Sequence, residues 1–456
     1  MTAVSGGYTE VPVIAPATVE EQPLLKVYKR RWVMLAIFMV YSMGNSSQWL
    51  EYASITNVVT KFYNVSSYAV DWTAIVFMFV YSPLVFPASY LVNKIGLRKC
   101  ILIGAGMTAL GSWVKCASIS PELYWVTMVG QTIVAIAQVF MLQLPPEVAS
   151  VWFGSDQVST ACSLGVFGNQ AGLALSFLLI PIAVRNHPDM ADVGSDLARM
   201  SYVVAGFNTA VFILVITLFQ DKPPLPPSIE VAKKIDRPQD FIGPLRRLFR
   251  NTSFILLIIT YSLNLSVFNA FSTLLNQLIL IYFEDGQEFA GRVGLLFIVG
   301  GMLGSIVCGI ILDKTHRFKE TTIALYILSA ISLIATTFLL GTRSHTAIYI
   351  TGGIFGACIG GYMPVSLEFT SEITYPEPEG TTAGILLAGS AITGVPFTMA
   401  YAWLIKIIGD VWANVAMTVI LIIGTGLTAL IKSDLRRQAA HAATINKEEE
   451  NNTHFV

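Results

Sequence analysis

From Val293 to Leu312 the chain runs twenty residues without one charged side chain. A helix of that length spans about 30 Å, the thickness of a bilayer's hydrocarbon core. Apolar runs of comparable length recur along nearly the whole chain, and lipid offers their backbone groups no partner outside the helix itself. Of the 456 residues, 54% are hydrophobic and 12% charged, where a soluble domain carries about 25% charged. The sequence predicts an all-α, multi-pass membrane protein. Its twelve spans fall near 32–62, 69–93, 100–118, 123–146, 157–184, 199–219, 254–283, 292–312, 321–341, 347–371, 381–406 and 411–431. Pro83, Pro87, Pro145, Pro146, Pro181, Pro364 and Pro396 mark expected kinks or ends, because each removes a backbone donor.

Tyr41, Ser42 and Ser46 recur as Tyr261, Ser262 and Ser266, an offset of 261 − 41 = 220. The same offset carries Asn93-Lys94 onto Asp313-Lys314 and Lys99 onto Lys319. In so apolar a chain, a repeat of the first helices points to a transporter of two pseudo-symmetric six-helix halves, related by an axis along the bilayer normal. The expected division is a disordered N-terminal segment 1–31, a first half 32–220, a linker loop 221–253, a second half 254–432 and a disordered tail 433–456. Within the linker, Pro238 to Arg250 reads equally as a short basic surface helix or as a solvated loop.

Lys26, Lys29, Arg30 and Arg31 precede the first span. Lys94, Arg98 and Lys99 follow the second, seven Lys and Arg lie in the linker, and Lys314, Arg317 and Lys319 follow the eighth. The loops after spans five and seven carry Asp189, Asp192 and Asp196, and Glu284, Asp285 and Glu288. The positive-inside rule then puts both termini and the linker in the cytosol. No apolar run precedes the first span, so no cleaved secretory signal is expected. The expected home is the plasma membrane, with a mitochondrial or other internal membrane as the alternative. Asn64-Val65-Ser66 is a glycosylation sequon close to the end of span one.

Inside span one, Asn45, Trp49, Tyr52 and Thr56 follow i, i+4, i+7, i+11 spacing and predict one polar and aromatic stripe. The offset places Leu265, Asn269, Ser272 and Asn276 on the matching face of span seven, so two stripes would line a central cavity. An indole face attracts a quaternary ammonium by roughly 0.5–2 kcal/mol; packing against a neighbouring helix is the other reading of Trp49. Gln170, in Gly168-Asn169-Gln170-Ala171-Gly172, would serve a substrate hydroxyl or another helix, with small residues permitting close approach. Glu51 lies about 200° around the helix from Trp49 and would face water, a cation elsewhere or the cavity rim. Lys115, near a span end, would snorkel to the interface. No chain of buried carboxylates or histidines is legible, which favours facilitated diffusion over proton coupling.

Asp313-Lys314-Thr315-His316-Arg317-Phe318-Lys319 has the shape of the major facilitator loop motif, in which a carboxylate and cations brace helices at the cytosolic gate. Asp313 and Arg317 would hold that gate; an ordinary basic loop that serves topology alone is the other reading of these residues. Its first-half copy, with Asn93, Lys94 and Arg98, would be weaker because Asn93 carries no charge. Gly300-Gly301 through Gly304 and Gly352-Gly353 through Gly361 are expected to let the halves slide.

From Trp32 to the last span the chain resembles the feline leukaemia virus subgroup C receptor family of the major facilitator superfamily. The resemblance rests on Gln48-Trp49-Leu50-Glu51-Tyr52, Asp71-Trp72, Leu84-Val85-Phe86-Pro87, Lys94-Ile95-Gly96-Leu97-Arg98, Gly111-Ser112-Trp113-Val114-Lys115 and Leu144-Pro145-Pro146. It continues in Trp152-Phe153-Gly154, Gly165-Val166-Phe167-Gly168-Asn169-Gln170, Ser272-Thr273-Leu274-Leu275-Asn276-Gln277 and Thr374-Tyr375-Pro376-Glu377. It implies the major facilitator fold and a carrier of choline and ethanolamine, with haem export also attributed to the family. The family's ammonium-facing tryptophan matches Trp49, and the glutamine of its Gly-Asn-Gln motif matches Gln170. Its span-seven tyrosine falls on Asn269 and its span-eleven glutamine near Ala391, while Glu51 stands where it usually has glutamine.

The implied partners are a choline-like cation, haem as second choice, and the bilayer; no cofactor is expected. The five histidines fall in loops or tails, away from the centre where haem iron would need a ligand. The five cysteines lie in apolar stretches without metal-ligand spacing. No nucleophile–base pair or phosphate-binding motif supports an enzyme, and the basic residues are accounted for by topology, which leaves no case for nucleic acid.

Overall fold

The computed structural model describes residues 26–154, 157–225, 227, 246–377 and 379–438, without the side chains of Asn93 and Asp313. Residues 1–25, most of the linker and residues 439–456 lie outside the described residues, and with them most of the segments expected to be disordered and of the linker's basic stretch. The first half contains α1 (Arg31–Ser46), a 3₁₀ turn (Ala53–Ile55), α2 (Thr56–Tyr63), α3 (Ser67–Ile95), α4 (Leu97–Cys116), α5 (Tyr124–Met141), α6 (Leu144–Trp152), α7 (Val158–Ala183) and α8 (Met190–Leu218). The second half contains α9 (Thr252–Leu280), α10 (Gln287–Thr315), α11 (Phe318–Leu340), α12 (His345–Thr374), α13 (Glu379–Ile408) and α14 (Asp410–Leu430).

Ten described helices are each long and apolar enough to cross a membrane. The remaining two spans of the twelve are α4 and the first, which is broken into α1, the 3₁₀ turn and α2. Span four is also interrupted, at Leu142 and Gln143, and Pro145 sits in the first turn of α6, where a missing N–H costs little. Pro83, Pro87, Pro181, Pro364 and Pro396 are accommodated inside helices. Span six starts nine residues earlier than the apolar run suggests, because the Asp189 carboxylate accepts from Ala191 N–H (2.9 Å) and caps α8 ahead of Asp192 and Asp196.

The duplication is visible in the backbone. Gly96 ends α3 at φ 87° and His316 ends α10 at φ 51°, and 316 − 96 = 220. Each helical hairpin turns on a left-handed residue at its Lys- and Arg-rich end, called the basic end here; the opposite end is the far end.

The first half packs around Phe38, Tyr41, Ile101, Trp152 and Phe219, the second around Tyr261, Phe297, Tyr326, Phe355 and Tyr362. The glycine stripes expected to let the halves slide lie in α10 and α12 of one half. A Cβ at Gly300, Gly304 or Gly356 would collide with carbonyls of the facing helix, and Ser305 Oγ donates to Gly360 O (3.1 Å). Small residues here fuse two helices at backbone contact.

Candidate functional site

The break in span one follows from its side chains. Ser46 Oγ donates to Ser42 O (2.6 Å), while Ser47 Oγ and Gln48 Nε2 both donate to Gly44 O (3.1 Å each). These groups compete for carbonyls that a continuing helix would use. The backbone tightens to i−3 bonds, Gln48 N–H to Asn45 O and Trp49 N–H to Ser46 O. The freed carbonyls are satisfied, as an apolar setting demands: Gln131 Nε2 donates to Gln48 O (3.0 Å) and Asn276 Nδ2 to Ser54 O (2.9 Å). The symmetry-related stretch, residues 267–272, is continuous helix in α9. The duplication is therefore broken here.

Glu51 lies in the break and pairs with Lys115 of α4 at 2.5 Å; each is 1% exposed. Lys115 also lies 3.3 Å from Gln131 Oε1 and 5.6 Å from the Tyr52 ring centroid. This corrects the snorkelling expected of Lys115 and identifies the cation facing Glu51. Burying two charges is costly, and the pair persists because each cancels the other.

Trp49 is partly exposed in the same break. Its Nε1–H donates to Ala74 O on α3 (3.1 Å), which fixes the ring plane. The ring packs against two apolar clusters, one centred on α9–α14, the other on α3 and α5 with Ala388 and Ala391 of α13. Beside it, Met78 of α3 is wedged between the second-half helices: Asn269 Nδ2 lies 3.4 Å from Met78 Sδ, and a Cβ at Gly394 would stand 2.6 Å from that sulfur. Trp49, Asn269 and Ala391 thus converge where the halves meet.

The single stripe expected along span one does not form, because the break rotates its lower residues. Asn45 is buried in the first half, donating to Thr108 Oγ1 (2.9 Å) and Val134 O (3.3 Å). Tyr52 is buried with Val58, Tyr63 and Leu197 in a first-half cluster. Asn276 reaches Ser54 O and belongs to a contact between the halves farther toward the far end.

Gln170 is half-buried on α7 and makes no hydrogen bond among the described residues. It lies seven residues, two turns, from Phe177 on the same helix face. Phe177 is buried against Gly291 and Gly294 of α10, whereas Val166, one turn beyond Gln170 on that face, is 41% exposed. The two halves therefore diverge along α7 toward the basic end, and Gln170 marks where they part.

Every described hydrogen bond between helices of the two halves lies at the centre or toward the far end. Gln277 Nε2 donates to Asp71 Oδ1 (2.6 Å). Gln287 accepts from Asn57 Nδ2 (3.0 Å) and donates to the Pro181 and Val184 carbonyls (3.0 and 2.6 Å). Lys406 sits 3.6 Å over the Tyr68 ring. Sequence reasoning missed Met78, Gln277 and Gln287; only the polar type of the glutamines, inside or beside apolar runs, gave a signal.

At the basic end the side chains of Asn93 and Asp313 lie outside the described residues. Lys94 is exposed, over the Tyr90 ring at 5.9 Å, and Arg317 is exposed at the head of α11. Arg98 Nη2 donates to Ile216 O (3.1 Å) and its N–H to Asp221 Oδ1 (2.9 Å), so it holds the end of α8. Lys319 does the same in the second half, donating to Ala429 O of α14 (2.8 Å). In each half a cation in the first turn of the third span meets the negative end of the sixth.

The model of the Major Facilitator Superfamily matches residues 32–398. The choline/ethanolamine transporter flvcr2a of Danio rerio is 43% identical over 422 residues, covering 92% of this chain and 90% of the relative. The choline/ethanolamine transporter FLVCR1 of Felis catus is 44% identical over 428 residues, covering 93% and 76%. A bacterial homologue of the human lysosomal transporter Spinster, solved inward-facing and unoccupied, superposes with a TM-score of 0.71 at 13% identity over 90% of this chain and 99% of that one, a likeness of fold alone.

Proposed function

This chain belongs to the Major Facilitator Superfamily and to the family of its FLVCR-type relatives, and from that membership we propose that it carries choline, and ethanolamine as a second substrate, across a membrane. The observation that carries the reading is Trp49, an indole fixed at the junction of the halves by a bond from its own N–H. Its face offers an ammonium roughly 0.5–2 kcal/mol without a charge to hold the substrate back. Asn269, Ala391 and Met78 would form the opposite wall, and Gln170 would reach the hydroxyl from the diverging side.

The basic end is assigned to the cytosol by the positive-inside rule. With the halves joined toward the far end and parted along α7, the conformation is then inward-open. Asp71–Gln277 and the Gln287 cluster are the outer gate in this reading, and Asp313 and Arg317 belong to the inner gate of the outward-open state. Glu51 is neutralised by Lys115, so the cycle needs no proton at that carboxylate and the substrate moves down its gradient.

Uptake of labelled choline and ethanolamine in cells expressing the wild type and Trp49→Ala tests this directly. Loss of uptake at equal surface expression supports the site, whereas unchanged uptake by Trp49→Ala removes it. A haem-efflux assay on the same cells separates the family's other attributed cargo: efflux without choline uptake would overturn the choline reading.

A further inference from the structure

Between α7 and α8 runs a cleft of about 690 Å³ that the transport reading does not use. Both helices pack on α1 but scarcely on each other. The walls are Leu175, Leu179 and Ile182 of α7 with Val203, Val204 and Phe207 of α8; the floor includes Gly44 and Ser47, at the break in span one. A Cβ at Gly44 would stand 2.5 Å from Asn208 Oδ1, so the Asn208 side chain would have to move to admit one. The buried Ser176 hydroxyl lines the cleft without a hydrogen-bond partner, so nothing described in the chain reaches in at that point.

The cleft runs along α8 from Asp196 to Asn208, 208 − 196 = 12 residues or about 18 Å, enough to cross one leaflet of a ~30 Å core from its headgroup side. Its walls face the bilayer, with Leu179 and Val203 exposed, so the medium that fills it is lipid. The residues that line its far-end mouth carry more positive than negative charge. Asp196 is shared by the Arg185 backbone N–H (3.3 Å), His187 Nε2 (3.0 Å) and Arg199 Nη1 (3.5 Å). The Arg185 guanidinium has no partner among the described residues, and Arg199 is 71% exposed. Among the residues lining the cleft two guanidinium groups face one carboxylate, with Asp189 and Asp192 in the adjoining turn outside that lining, so it is the lining that carries the positive charge above an apolar slot. Guanidinium matches a phosphate in shape and charge.

We propose that this cleft binds a glycerophospholipid of the far-end leaflet, one acyl chain lying between α7 and α8 against the break of span one and the phosphate held by Arg185 and Arg199. The inference is independent of which substrate the protein carries.

The test uses the full chain in phosphatidylcholine vesicles containing a phosphatidylcholine with a photoreactive group in its acyl chain, and in parallel a photoreactive fatty alcohol lacking phosphate. Labelled peptides are mapped by mass spectrometry. The expected result is phospholipid label concentrated on 175–183 and 199–208, above the level on lipid-facing α11 around Ile331. Val203→Trp, a change at an exposed wall position, should fill the slot and bring that label down to the α11 level. Arg185→Gln with Arg199→Gln should cut phospholipid labelling about tenfold, the loss of charge-assisted contacts to phosphate, while leaving the fatty alcohol's labelling in place. Even labelling of α7, α8 and α11, or labelling indifferent to both Val203→Trp and Leu179→Trp, would mean ordinary boundary lipid and overturn the site. Equal phospholipid labelling in the double arginine variant would overturn the headgroup assignment.

Discussion

Replacing Lys115 with methionine isolates the buried ion pair. Glu51 and Lys115 are each 1% exposed and 2.5 Å apart. Among the described residues Glu51 Oε1 has no hydrogen-bond partner, and Oε2 has Lys115. Lys115→Met therefore strands a carboxylate inside the first half, at a cost of about 3–5 kcal/mol, or roughly two to four orders of magnitude in the folding equilibrium. The converse change should be milder. In Glu51→Gln the ammonium keeps Gln131 Oε1 at 3.3 Å and the Tyr52 ring at 5.6 Å, and a glutamine can still accept from it. The predicted order of stability is wild type, Glu51→Gln, the double variant Glu51→Gln/Lys115→Met, then Lys115→Met alone. Thermal melting of the purified protein, with surface expression as a second measure, reads that order. The reasoning fails if Lys115→Met melts with or above Glu51→Gln, or if the double variant loses the sum of the two single losses, since the double-mutant cycle would then contain no coupling.

Trp49→Phe should keep part of the cation attraction and Trp49→Ala none, so choline KM should rise in that order, by roughly 2- to 30-fold for the alanine; a flat series would exclude the ring. Tyrosine at 269 is expected to fit only with room made by Met78→Ala: choline affinity should fall in Asn269→Tyr alone and rise above it in the pair, and equal affinities would show that Met78 is not the obstacle. Gly294→Leu places a side chain against the Phe177 ring, so it should loosen far-end closure and raise reagent labelling of a cysteine introduced at Asn57; unaltered labelling would show that the Phe177–Gly294 contact does not hold the far end closed. Gln170→Ala should weaken choline uptake more than its effect on surface expression, whereas equal loss of both would make the side chain a packing residue.

Much of the fold could be read from the chain because lipid removes alternatives. A run such as 293–312 has no solution but a helix, and the 220-residue offset links Gly96 to His316 across the two halves. The site was less legible. Trp49, Asn269 and Ala391 lie at the junction of the halves, whereas the spacing sets Asn45 and Tyr52 beside Trp49 only if span one is one unbroken helix. The serines and Gln48 that break it look like ordinary polar residues in sequence, and their effect depends on partners far along the chain: Gln131, whose amide donates to the freed Gln48 carbonyl, and Asn169, whose carbonyl accepts from Ser46 Oγ. Glu51 and Lys115 were each visible as charges inside spans. That they face one another depends on the depth at which α4 lies against span one, which no local pattern encodes.

Two identical halves around an axis would present a ligand with two equivalent poses. Here one side of the axis is interrupted at residues 47–52 while its counterpart, 267–272, stays wound. In the proposed site a molecule with a charged end and a neutral end would consequently meet two different walls and have one way to lie. Orientation would be chosen by the backbone before any side chain discriminates, and an analogue with ammonium at both ends would gain nothing from its second head.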